Sequence, residues 1–222
     1  MDDHDEERAK ARALRRYEAA PLAFGSDPAA PQMEFFSPFG PFISRTGMQA
    51  ALVDHLNRYI DTQVVPGQPG EFHLPADIVT RGAEGSLLRY TETQIARFVA
   101  ASTGAAPRRV RVDIFWAVSQ PPGTASPVHF HSADISGVMY LKTPEVEQAN
   151  SEEEKTYISN RQAGFINFMI GGRQEFSRSI VSFKPVVGQC YIFPGWLLHG
   201  AEPFRGRGER RSLAFNASVG LD

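Results

Sequence analysis

Arg108-Arg109-Val110-Arg111-Val112-Asp113-Ile114-Phe115-Trp116 is the stretch where the chain changes period. Val110, Val112, Ile114 and Trp116 alternate with Arg109, Arg111, Asp113 and Phe115, which reads as a strand. Upstream the repeat is helical. Across Met48–Thr62, Met48, Leu52, Leu56, Tyr59 and Ile60 recur at three- and four-residue steps, and Pro66-Gly67 and Pro69-Gly70 then make a loop. A second helix is predicted over Leu87–Thr103, with Leu87, Leu88, Ile95, Phe98 and Val99 on its apolar side and Gly104 as its stop. Downstream come strand-like runs at Val128–His131, Ser136–Lys142, Gly164–Met169, Ser179–Phe183, Gln189–Phe193 and Arg211–Val219. Helices first and short strands after predict an α+β fold, with the helices packed on one side of an antiparallel double sheet. A jelly-roll barrel fits that inventory.

The 222 residues divide into a mobile, charged arm at 1–20 and a single domain at 21–222. Within that domain, 21–104 reads as helical N-terminal support and 105–222 as the β core. Pro144–Thr156, with Glu152, Glu153 and Glu154, reads as a solvated loop. A hydrophobic share of 42% supports a real core, and a net charge of -2 gives no reason to expect a nucleic-acid partner. Cys190 is the only cysteine, which excludes an intramolecular disulfide and argues against a thiolate metal site. No apolar run has signal-peptide or membrane-spanning character, so the expectation is a soluble, cytoplasmic protein with no membrane partner, open to homodimer formation.

His129 and His131 are the residues most suited to chemistry. At i and i+2 of a strand they point to one side of the sheet, roughly 6–7 Å apart along the backbone. His199, after the Phe193-Pro194 turn, supplies a third imidazole from another strand. Such a trio caps one face of a metal ion and leaves the opposite positions open. In Arg210–Asn216, the set Arg210, Ser212, Ala214 and Asn216 is polar or small, whereas Arg211, Leu213, Phe215 and Ala217 form a mostly apolar face. The polar face is expected to line the lumen, where the Arg210 fork can hold a carboxylate. Arg211, on the other face, is its rival. Tyr140 and Asn216 are candidates to hydrogen-bond a co-substrate, or to satisfy the barrel itself. Trp116 and Trp196 read as core or pocket-wall aromatics. His4, His55 and His73 have no partner at ligand spacing.

His129-Phe-His131, Ser136-Gly-Val-Met-Tyr140, Gly188-Gln-Cys-Tyr-Ile-Phe-Pro-Gly-Trp-Leu-Leu-His199 and Arg210-Arg-Ser-Leu-Ala-Phe-Asn216 occur in this order. Together they resemble the 2-oxoglutarate/Fe(II)-dependent oxygenase superfamily, in particular a bacterial and phage group with the pattern HxH…SGVYY…FPxxLxH…RxSxxFN. The resemblance spans roughly residues 110–219. It implies a double-stranded β-helix core, Fe(II) as metal and 2-oxoglutarate as co-substrate. It puts His129, His131 and His199 at the metal, and Arg210, with Ser212 beside it, at the 2-oxoglutarate carboxylate. The superfamily usually carries Asp or Glu where His131 stands. Asp134 is therefore an alternative ligand, although its spacing requires a bulge or turn; Asp113 is a more remote one. The substrate, a small molecule or a protein, is not named by any motif. Two other readings stay open: a cupin-like metal-dependent hydrolase or lyase without 2-oxoglutarate, and a non-catalytic metal-binding module.

Overall fold

In a computed structural model, the structure describes residues 33–37, 40, 42–81, 87–146, 162–171 and 179–221. The arm expected at 1–20 and most of the insertion expected at 144–156 lie outside these residues. The described elements run β1 (Glu34–Phe36), β2 (Ile43–Gly47), α1 (Ala50–Ile60), β3 (Gly70–His73), α2 (Ala76–Thr80), α3 (Leu87–Thr103), β4 (Arg109–Gln120), β5 (Ser126–His129) and β6 (Ile135–Lys142). They continue with β7 (Glu145–Val146), β8 (Ile166–Met169), β9 (Ile180–Phe183), β10 (Gln189–Pro194), β11 (Leu198–Ala201), β12 (Gly206–Arg207) and β13 (Arg210–Gly220).

Two antiparallel sheets form the core. The larger has the order β1-β2-β10-β6-β13-β4-β3, and the smaller β5-β11-β8-β9. This is the expected α+β jelly roll, with the helices on the outer face of the larger sheet. Leu56 and Ile60 of α1 and Ile95, Phe98 and Val99 of α3 pack with Met139, Leu141, Leu213, Phe215 and Ala217. Burying each such large aliphatic or aromatic side chain is worth about 1.5–3 kcal/mol. Between the sheets, a second cluster joins Ile43, Tyr140, Ile166, Phe168, Tyr191, Phe193 and Leu197. The two faces of β13 are thus divided as its sequence predicts.

The segment 21–104 is not purely helical support. β1 and β2 extend one edge of the larger sheet, and β3 forms the other edge beside β4. Each is three to five residues long, too short for alternation to announce it, and Pro69-Gly70 reads locally as a turn although Gly70 already pairs with Ser119. Gly104 does end α3, at φ 79°, its N–H donating to the Ala100 carbonyl. Gly137 is required by packing: it lies opposite Phe215, and a Cβ there would sit 2.2 Å from that ring.

Candidate metal centre

His129 ends β5 and His199 opens β11 one residue in; the two are direct cross-strand partners. His131 lies two residues past β5, where its N–H donates to the Gly195 carbonyl at 2.9 Å. Gly195 in turn donates to the Asp134 carbonyl at 3.1 Å. This pair of backbone bonds ties the His131 loop to the turn that leads into His199. The ring centroids stand 4.4 Å (His129–His199), 5.0 Å (His129–His131) and 5.2 Å (His131–His199) apart. Their ligand nitrogens lie within 4.8 Å of one another, and no other group of three or more His, Cys, Asp or Glu side chains among the described residues does so.

The orientation suits a metal. Nδ1 of His129 lies 2.7 Å from the Pro127 carbonyl and Nδ1 of His199 lies 2.8 Å from the Leu197 carbonyl. A carbonyl only accepts, so each Nδ1 carries the proton and each Nε2 presents its lone pair, the usual way a protein fixes a ligating tautomer. Burial, reinforced by His129 and His131, pushes the His199 pKa down to about 4; only its bond to Leu197 opposes this. Burial and then His129 lower His131 as well. Both are therefore neutral near pH 7, the state that ligates.

Asp134 does not join them. Its Oδ2 accepts the Val219 N–H at 2.9 Å, because the turn after His131 carries it toward the end of β13. Asp113 is also engaged elsewhere, with Arg111 and the Ser218 hydroxyl. Neither carboxylate joins the three imidazoles in this geometry. Without Asp134, the described residues offer three protein ligands, not the closed set of four of a structural site.

Arg210 is buried in the lumen at 1% exposure. Its Nε and Nη2 donate to Gln120 Oε1 at 3.0 and 2.7 Å, and its Nη1 donates to the Gly164 and Glu202 carbonyls at 3.1 and 2.8 Å. Four of a guanidinium's five N–H donors are engaged, and one on Nη2 is left for a ligand. Burial lowers its pKa while Tyr140 and Glu202 raise it, and an arginine starts high enough to stay charged. Tyr140, held protonated by burial, is the cross-strand partner of Ser212. Asn216 is committed to the barrel, where its Oδ1 accepts the Ser136 hydroxyl at 2.7 Å. The rival Arg211 faces the helix side. It binds Asp61 at 2.8 Å and Glu209 at 2.5 Å, and Lys142, then Arg211, hold the Asp61 carboxyl below its usual range.

A cleft of about 660 Å³ opens beside the histidines, bordered by Glu71, Trp116, Val118, Gln120, Ser126, His129 and His131, among others. The Trp116 and His131 rings stand 5.5 Å apart at 70°, so Trp116 is a pocket wall, as expected. Trp196 is 54% exposed, so it is not a core aromatic, and it does not line this cleft. Cys190 is fully buried, and burial pushes its thiol up to about 12, which suits inert packing.

Residues 114–216, which carry all three imidazoles, match the family described as "Putative 2OG-Fe(II) oxygenase". They form a 2-oxoglutarate/Fe(II)-dependent oxygenase domain. The oxygenase core is also similar in fold to viral collagen prolyl hydroxylase vCPH from Paramecium Bursaria Chlorella virus-1, solved as its 2OG complex (TM-score 0.50, 11% identity, 86% of this chain and 96% of that one). HygX from Streptomyces hygroscopicus, solved with nickel and 2-oxoglutarate bound, aligns at TM-score 0.51 and 10% identity over 79% of this chain and 82% of that one. No curated protein sequence matches the chain. Among the described residues, no helix is long and apolar enough to cross a membrane.

One acidic residue of the oxygenase cleft escapes sequence reasoning. Glu71 pairs with Val118, and both line the cleft. The only local hint was the alternation in Gly70-Glu-Phe-His73, hidden by the preceding Pro-Gly steps.

Proposed function

We propose that His129, His131 and His199 hold the Fe(II) of this oxygenase, and that Arg210, with Ser212 and Tyr140 beside it, receives the far carboxylate of 2-oxoglutarate. The observation that carries this reading is the convergence of three imidazoles, two with Nδ1 tied to carbonyls. Iron and 2-oxoglutarate, when bound, supply the oxidising power, coupling decarboxylation of 2-oxoglutarate to oxidation of a second substrate.

The chain's own residues supply position, charge and dryness. The carbonyls of Pro127 and Leu197 orient the ligands. Three neutral imidazoles leave the metal's full double charge for a dianionic co-substrate, one unit more than a set with a carboxylate. Arg210, held by Gln120 and two carbonyls, is fixed in place before the anion arrives, so little side-chain entropy is lost on binding. Tyr140 and Ser212 offer hydroxyls without a second charge. Phe168 and Phe193 pack on His199, with ring centroids 6.3 and 4.7 Å away, and exclude water from that side. The reaction is of the hydroxylase type, on a small molecule or a protein side chain, and a buried lone cysteine suits a cytoplasmic location.

The test is anaerobic titration of the metal-free protein with Fe(II) and 2-oxoglutarate. A weak visible charge-transfer band that needs both is expected. Tight zinc binding, with no band and no 2-oxoglutarate consumption, would favour a hydrolytic metal site instead.

A further inference from the structure

The cleft beside the imidazoles carries a charge opposite to that of the co-substrate's site. Besides the histidines, its described lining includes one acidic side chain, Glu71, and neither Lys nor Arg. Glu71 forms no salt bridge with another described residue, although lysine and arginine pair with acids elsewhere on the surface. Diagonally beside Glu71, on the same face of the paired strand β4, stands the indole of Trp116, itself against His131. A carboxylate and an indole lining one cavity is an arrangement that favours a cation over a neutral or anionic group, through charge and through the ring's quadrupole. The anionic co-substrate is drawn the other way, toward the buried Arg210.

We propose that Glu71 and Trp116 select a prime substrate bearing a cationic nitrogen, an ammonium or guanidinium, beside the carbon to be oxidised. This deepens the oxygenase reading and rests on it for the position of the metal. Glu71 is a specificity residue: it binds the substrate's charge and takes no part in metal or 2-oxoglutarate binding. Its strand, β3, is an edge strand held to β4, so the carboxylate is carried by the sheet itself and register fixes its place beside Val118 and Trp116.

Protein carrying Trp196→Phe, so that Trp116 reports alone, is loaded with Zn(II) and 2-oxoglutarate and titrated with benzylamine and with benzyl alcohol, its neutral counterpart. Quenching should show benzylamine binding about fivefold more tightly, the scale of one partly exposed ion pair with a cation–π contribution. Glu71→Gln should bring the ratio to about one, and Glu71→Lys should favour the alcohol, both with the melting temperature of the parent. Equal affinities in the parent, a preference that survives Glu71→Gln, or no quench by benzylamine would each overturn the proposal. The charge-transfer band of the Fe(II) protein is recorded in parallel. If it forms without amine selectivity, only the Glu71 assignment falls; if it fails to form, the oxygenase reading falls first.

Discussion

Replacing Gly195 with alanine should loosen the metal site without touching a ligand. A Cβ at that position would lie 2.0 Å from the Ala133 carbonyl oxygen, 2.9 Å from the Ala133 carbonyl carbon and 3.3 Å from the His131 carbonyl oxygen. These are backbone atoms, so no rotamer change relieves the overlap, and residues 131–134 must move by about 1 Å to restore ordinary contact. That shift strains the bonds His131 N–H to Gly195 O and Gly195 N–H to Asp134 O, which hold the His131 loop against the turn leading to His199. Supporting interactions of metal ligands are typically worth about 10–100-fold in metal affinity, and that is the expected loss. Overpacking should cost about 1–3 kcal/mol of stability as well. The assay is competitive Zn(II) titration against a chromophoric chelator, with thermal unfolding of the metal-free protein alongside. Gly137→Ala is the comparison, because its Cβ would strike the Phe215 ring on the helix side. It should lower stability while the folded fraction keeps its metal affinity. Gly195→Ala protein with unchanged metal affinity would refute the argument that this backbone clamp positions His131.

His199→Ala should abolish both metal binding and 2-oxoglutarate turnover, read by metal analysis and succinate release. Arg210→Ala should keep its iron while weakening 2-oxoglutarate by about 10–100-fold, the scale of lost hydrogen bonds to a charged group; unchanged affinity in a calorimetric titration would remove Arg210 from the co-substrate site. Arg211→Ala should do the reverse, costing about 1–3 kcal/mol in denaturant unfolding through the lost hydrogen bonds of a buried guanidinium to the partly exposed Asp61 and Glu209, with 2-oxoglutarate affinity intact. For the metal-free protein, the folded state holds His199 at about 4 against an ordinary 6.5. The unfolded chain therefore binds more protons between these values, so stability falls as pH falls through that window, by about 3 kcal/mol at most. His199→Gln should flatten that slope in urea titrations from pH 7 to pH 4.

Much of this was written locally. The 3.6-residue repeat of Leu87–Thr103 survives unchanged as α3, since an amphipathic helix needs only its own neighbours in sequence and one apolar surface to meet. The opposite faces of Arg210–Asn216, and hence the separate roles open to Arg210 and Arg211, followed from strand parity alone. The three imidazoles were legible for the same reason: their residue type is rare, and their spacing is that of strands. Identity and parity were thus determined by the chain itself.

Convergence was decided only by tertiary structure. Whether Asp134 or His131 faces the metal depends on a turn whose direction is set by the Val219 N–H, 85 residues away. Glu71 reaches the cleft through the pairing of β3 with β4, and Gln120 reaches Arg210 through that of β4 with β13. Such pairings are worth little until the sheets close over a common core. No window of sequence shorter than the barrel contains the free energy that chooses them.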